Sequence, residues 1–145
     1  MFSVSPRSFA QGNVLTVAPP DKLTAKAGGM AEAKLKVELR NGYHCNSNTP
    51  SDDYLIPLKL TWTPGTLDVG EVAYPKPQME KYSFSEKPLS VYTGNFEIVT
   101  HFKVPAGAVP GDTVIPAKLR YQACTERMCL PPKTVDVSLP VSVVK

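Results

Sequence analysis

Cys124 and Cys129, with four residues between them, are the pair in this chain best suited to chemistry. They lie in LRYQACTERMCLPP, residues 119–132. Before them Ile115, Ala117, Leu119, Tyr121 and Ala123 alternate with Pro116, Lys118, Arg120 and Gln122, the period of a strand with one apolar face. If that alternation persists, Cys124 falls on the polar side. After them Val135, Val137, Leu139, Val141 and Val143 alternate with Thr134, Asp136, Ser138 and Ser142. Two strands joined through residues 125–128 make a hairpin whose loop is flanked by the cysteines. Facing residues of antiparallel strands have Cα atoms roughly 4.5–5.5 Å apart, and a disulfide wants roughly 4.4–6.8 Å, so the pair can close.

Such a bond has two readings. As a staple it closes a very short loop, where the loss of unfolded-chain entropy is smallest. As a redox pair it needs an accessible sulfur, a thiolate nucleophile and a resolving thiol, and the residues alone weigh the two readings about equally. Arg127 favours a thiolate and Glu126 opposes it. Pro131 and Pro132 have no amide hydrogen, so the chain after Cys129 pairs poorly and leaves that edge open.

A third cysteine, Cys45, makes the count odd. It suits a small buried hydrophobe or a reactive third thiol. His44, beside it in a polar loop, is expected to be solvated, though an imidazole there could steady a thiolate or relay a proton. His44, Cys45, Cys124 and Cys129 could in principle hold zinc or copper(I). Adjacent strand residues point to opposite faces, however, which disfavours joint ligation, and no metal is expected. No paired acids, Ser–His–Asp pattern or phosphate-binding glycine loop stands out, and no cofactor is called for.

The elements that would position the pair are strands. Ala31, Ala33, Leu35, Val37 and Leu39 alternate with Glu32, Lys34, Lys36, Glu38 and Arg40, and Asn41-Gly42 then turns the chain. Leu58, Leu60 and Trp62 mark another strand, and Phe96, Ile98, Thr100, Phe102 and Val104 a further one. Residues 14–17 suit a brief edge strand, and 71–74 a short one. Residues 43–53 and 78–88 are polar and turn-rich, although the latter carry Tyr82 and Phe84. No segment has helical period. Six to eight short strands predict an all-β domain, an immunoglobulin-like β-sandwich of two antiparallel sheets, over residues 29–145. Residues 1–28 form an N-terminal arm, partly ordered at most.

Length and composition agree. The 145 residues suit one domain with a sizeable core. Hydrophobic residues make up 42% and charged residues 20%, neither disordered nor membrane-like, and fifteen prolines disfavour helices. The net charge of +3 is spread along the chain, so no nucleic-acid surface is expected. No apolar run approaches the ~20 residues of a membrane span. The first twenty residues lack a continuous apolar signal segment, which suits either a start after a removed signal or a piece of a longer protein.

Three segments, in order, carry a resemblance. LRYQACTERMCLPPKTVDVSL resembles the active-site segment of the N-terminal periplasmic domain of the thiol:disulfide interchange protein DsbD, with its Tyr-Gln-x-Cys, short loop, Cys-x-Pro-Pro and Val-rich strand. NGYHCNSNTPSDDYLIPLKLTW is similar to that family's aromatic or imidazole segment followed by a Leu-Ile-Pro strand. YSFSEKPLSVYTGNFEI is similar to its cap region and next strand. The resemblance implies a periplasmic thiol-disulfide exchange domain, a protein-disulfide reductase module that passes electrons between thioredoxin-like domains. A membrane domain would be expected in the full-length protein. By position Cys129 is the attacking sulfur and Cys124 the resolving one. Tyr82 matches the cap aromatic, with Phe84 as fallback. The family's acidic pair is reduced here to Glu80, and Tyr43 and His44 become neighbours of the disulfide. The runner-up is a non-catalytic immunoglobulin-like interaction module with a structural disulfide.

Overall fold

The computed structural model describes residues 14–145, and among them every regular element is a strand. These are β1 (Leu15–Val17), β2 (Leu23–Lys26), β3 (Met30–Leu39), β4 (His44–Asn46), β5 (Lys59–Trp62), β6 (Asp68–Ala73), β7 (Gln78–Glu80), β8 (Leu89–Tyr92), β9 (Asn95–Lys103), β10 (Gly111–Tyr121), β11 (Ala123–Cys124) and β12 (Lys133–Val144).

Two four-stranded sheets form the expected sandwich. One has the order β1-β3-β9-β6 and the other β2-β12-β10-β5. The pairings are antiparallel except β2 on β12, which is parallel. Alternation decides which side chains enter the core. Ala31, Ala33, Leu35, Val37 and Leu39 of β3 are buried, as are Ile115, Ala117, Leu119 and Tyr121 of β10 and Val137, Leu139, Val141 and Val143 of β12. Their polar neighbours Glu32, Lys34, Lys36, Lys118 and Arg120 stay in water. Trp62 of β5 and Phe102 of β9 meet edge-on between the sheets, centroids 5.1 Å apart. The Trp62 indole N–H donates to Thr100 Oγ1 at 3.0 Å, so a buried donor and a buried hydroxyl satisfy each other.

A third, small sheet was not anticipated. Its order is β11-β4-β8-β7, and it extends one end of the sandwich. Gly42, at φ 88°, occupies the left-handed region that the Asn41-Gly42 turn requires, and the Tyr43 amide closes that turn on the Arg40 carbonyl. The chain then leaves β3's sheet and enters β4. The polar look of residues 43–53 concealed β4, whose His44, Cys45 and Asn46 are all buried. β8 was concealed for a related reason: Leu89, Ser90, Val91 and Tyr92 are all buried, so both faces are covered and no alternation is visible.

Candidate functional site

β10 and β12 pair continuously from Gly111↔Val143 to Tyr121↔Lys133, so the long hairpin is real. The cysteines are not on its arms. They belong to the excursion 122–132, which enters the third sheet before returning. Gln122 anchors its start: its Oε1 accepts from Asn46 Nδ2 at 2.9 Å and from the Ile56 amide at 3.1 Å, and its Nε2 donates to the Leu130 carbonyl at 3.3 Å. The two prolines delay re-pairing until Lys133.

Within the excursion the chain makes a miniature hairpin. The Leu130 amide donates to the Ala123 carbonyl at 2.8 Å, and the Thr125 amide to the Met128 carbonyl at 2.7 Å. Cys124 and Cys129 lie between these bonds as a facing, non-hydrogen-bonded pair, the arrangement that brings side chains closest. They are joined as a disulfide with Cα atoms 3.9 Å apart, closer than the range expected from the sequence. Thr125 Oγ1 accepts from the Arg127 and Met128 amides and stiffens the tip.

The two cysteines differ in burial. Cys129 is half-buried, whereas Cys124 is fully buried. The expectation of an exposed Cys124 on the polar face is therefore corrected. Ala123 joins the main core and Cys124 does not, so the alternation holds. The opposite face is covered at this end of the molecule by a second layer, which period-2 patterning cannot register.

Packed at this end is the segment after β7. Tyr82 and Phe84 pack on Leu55, Leu89 and Val91, a small cluster separate from the main core. Tyr82 stacks on His44 with ring centroids 4.0 Å apart and planes 13° apart, and Phe84 lies nearly parallel to both. Ser83 Oγ donates to the Glu126 carbonyl at 3.0 Å, tying this segment directly to the cysteine loop. Burial, with Glu80 and Glu126 nearby, pushes the Tyr82 phenol up from its usual pKa. Glu80 itself is exposed at the end of β7.

His44 is buried, not solvated as its polar sequence context suggested. It is the ladder partner of Cys124, and burial lowers its pKa to about 4, so the ring is neutral at pH 7. Tyr43, half-buried, lines a groove of about 400 Å³ with His44, Arg40, Tyr82 and Glu126. Cys45 points the other way, into the main core, where burial pushes its thiol up to about 12. The four conceivable metal ligands therefore do not converge on one point. Sequence reasoning missed Gln122 and Asn46, whose bonds hold the excursion against β4. An amide next to a cysteine carries no signal of its own.

The comparisons with known proteins follow this geometry. Residues 13–140 match the family described as thiol:disulfide interchange protein DsbD, N-terminal. The chain belongs to that family. Among solved structures, the N-terminal periplasmic domain of ScsB from Proteus mirabilis superposes with a TM-score of 0.61 at 15% identity, covering 97% of this chain and 49% of that one. The chain thus spans about half the length of that structure. The seventh ScaB type I cohesin from Pseudobacteroides cellulosolvens superposes with a TM-score of 0.50 at 12% identity, covering 90% and 92%. At such identities both likenesses speak of the sandwich fold alone. No curated protein matches the chain by sequence. In this member of the family the disulfide sits in a miniature hairpin whose loop is tied to the Tyr82–Phe84 segment through Ser83.

Proposed function

We propose that this domain is a periplasmic electron relay, taking reducing equivalents from one thioredoxin-like domain and passing them to others through Cys124 and Cys129. The reading rests on the unequal access of the two sulfurs: an incoming thiolate can reach the half-buried Cys129, while Cys124 is shielded. Reduction of the domain then runs in two displacements. A donor thiolate attacks Cys129 Sγ, the intramolecular S–S bond breaks, and its electron pair leaves on Cys124. The donor's second thiol, as thiolate, then attacks the donor sulfur of the mixed disulfide. Cys129 is released as a thiolate and the donor is left oxidised. Transfer onward is the same sequence reversed, with Cys129 attacking the acceptor disulfide and Cys124 resolving.

Tyr82 acts as the shield, with Phe84 behind it. A ring across the approach excludes stray small thiols, and a docking protein displaces it. Ser83 ties that shield to the loop it guards. Glu80 contributes negative charge at the rim, and Tyr43 and His44 form the wall of the groove that a partner would enter.

A trapping experiment tests the order of attack. A Cys124→Ala variant, incubated with an oxidised thioredoxin-like protein, accumulates a mixed disulfide through Cys129, and Cys129→Ala does not accumulate one through Cys124. Trapping only in the Cys129→Ala variant reverses the assignment. A pair that stays oxidised in buffers poised well below thioredoxin's roughly −270 mV excludes the relay and leaves a structural staple.

A further inference from the structure

His44 is buried at the centre of the site, yet the displacement chemistry above gives it no part. Three geometric observations converge on it. It faces Cys124 across the β4–β11 ladder, so the two side chains share one face. Tyr82 lies flat on it at 4.0 Å. Its Nε2 is buried without a hydrogen-bond partner. A buried polar atom left idle costs free energy, and such exceptions in folded proteins call for an explanation.

We propose that His44 couples opening of the cap to cleavage of the disulfide by acting on Cys124, the leaving sulfur. Lifting Tyr82 admits water to the imidazole, which takes up a proton and stabilises Cys124 as the departing thiolate. This inference rests on the relay reading above and adds to it the means by which the buried sulfur becomes a good leaving group. The proton comes from solvent. When the partner thiolate bonds to Cys129, the electron pair of the broken S–S bond goes to Cys124 Sγ. The imidazolium beside it either pairs with that charge or hands over its proton to give the thiol. A thiol of lowered pKa leaves faster, and the same pairing keeps Cys124 ready to resolve in the reverse direction.

The sign of the pH dependence follows from burial. With the cap closed, desolvation holds the imidazole near 4. With the cap open it returns towards the roughly 6.5 of a solvated histidine. The open form therefore binds more protons between these values, so the cap is held most firmly above about pH 6.5 and loosens as pH falls towards 4. The charged and titratable groups around His44 are Tyr82 on the cap with Glu80 and Lys81 before it, Glu126 on the cysteine loop, and Arg40 and Tyr43 on the turn into β4. Cys124 is bonded and carries no charge until the disulfide breaks.

The test follows the rate of reduction of the oxidised protein by dithiothreitol from pH 8 to pH 5, each rate divided by the dithiothreitol thiolate concentration. For wild type the normalised rate rises as pH falls, by up to about 30-fold at pH 5. His44→Phe keeps a ring to stack on but has no proton to accept, and its profile is flat. A flat wild-type profile, or an unchanged rise in His44→Phe, overturns the proposal. A second measurement does not depend on that variant folding: NMR titration of His44 in the oxidised wild type and in Tyr82→Ala. Titration near 4 in the first and closer to 6.5 in the second supports the linkage, and titration near 6.5 in both sinks it. The relay reading fails separately, if no thioredoxin-like protein forms a mixed disulfide with Cys129 while the dithiothreitol profile holds.

Discussion

Three cysteines of one chain occupy three different environments. Cys129 is half-buried, Cys124 is fully buried outside the main core, and Cys45 lies in the main core with its thiol pushed up to about 12. Only thiolates alkylate quickly, so Cys45 is inert despite lying one residue from His44. In the folded, reduced protein at pH 8, iodoacetamide labels Cys129 first and leaves Cys45 untouched until denaturant is added. Labelling of Cys45 at a rate comparable to Cys129 would show that β4 opens far more than its burial implies. Cys45 and His44 also show what residue type alone conveys. A cysteine in a polar stretch and a histidine beside it look solvated. Their burial follows from β8 and β11 flanking β4, strands brought together from distant parts of the chain.

At the scale of elements, the cap is a short arm held by few contacts. Its stability comes from the ring stack His44–Tyr82–Phe84, from packing on Leu55, Leu89 and Val91, and from the Ser83–Glu126 hydrogen bond. Aromatic pairs contribute roughly 0.5–1.5 kcal/mol each beyond the area they bury, so the segment is tied down by a few kcal/mol, little enough for the docking partner of the proposed relay to displace it. Tyr82→Ala removes two of these ring contacts. Dithiothreitol should then reduce the disulfide roughly tenfold faster at pH 8, with the fold intact by circular dichroism. An unchanged rate would mean that Tyr82 shields nothing. Tyr82 was legible as an aromatic in a polar segment. Its contact with His44 was not, because 38 residues separate them and only the third sheet makes them neighbours.

Across the whole molecule, the sandwich does not depend on the bond it displays. The core is built from β3, β9, β10, β12 and β5, and the Trp62–Thr100 bond and Trp62–Phe102 contact lock the two large sheets together without involving the cysteines. A disulfide closing so short a loop contributes about 2 kcal/mol on the chain-entropy account. A Cys124→Ala, Cys129→Ala double variant therefore unfolds in one cooperative step, with Tm lowered by less than about 10 °C. Loss of the folded state in that variant would return the pair to the role of a staple. A scaffold that tolerates both oxidation states is what the proposed relay requires, since a relay domain spends part of each cycle reduced.

The long strands were readable from the amino-acid order because each has one wet and one dry face, and a period of two records that directly. The joining of Cys124 to Cys129 across a four-residue loop was readable as well, from residue types and from likeness to a known family, but the excursion that takes both off the long hairpin was not. Which face of the cysteine strand meets water was decided only in three dimensions. Period-2 patterning distinguishes core from non-core, but it cannot tell a solvated non-core face from one roofed by a second layer. What lies at that face is brought there by the third sheet, whose β4, β7 and β8 are too short or too evenly buried to alternate. The difference between the two sulfurs, and the position of His44 between cap and disulfide, arise from that long-range packing.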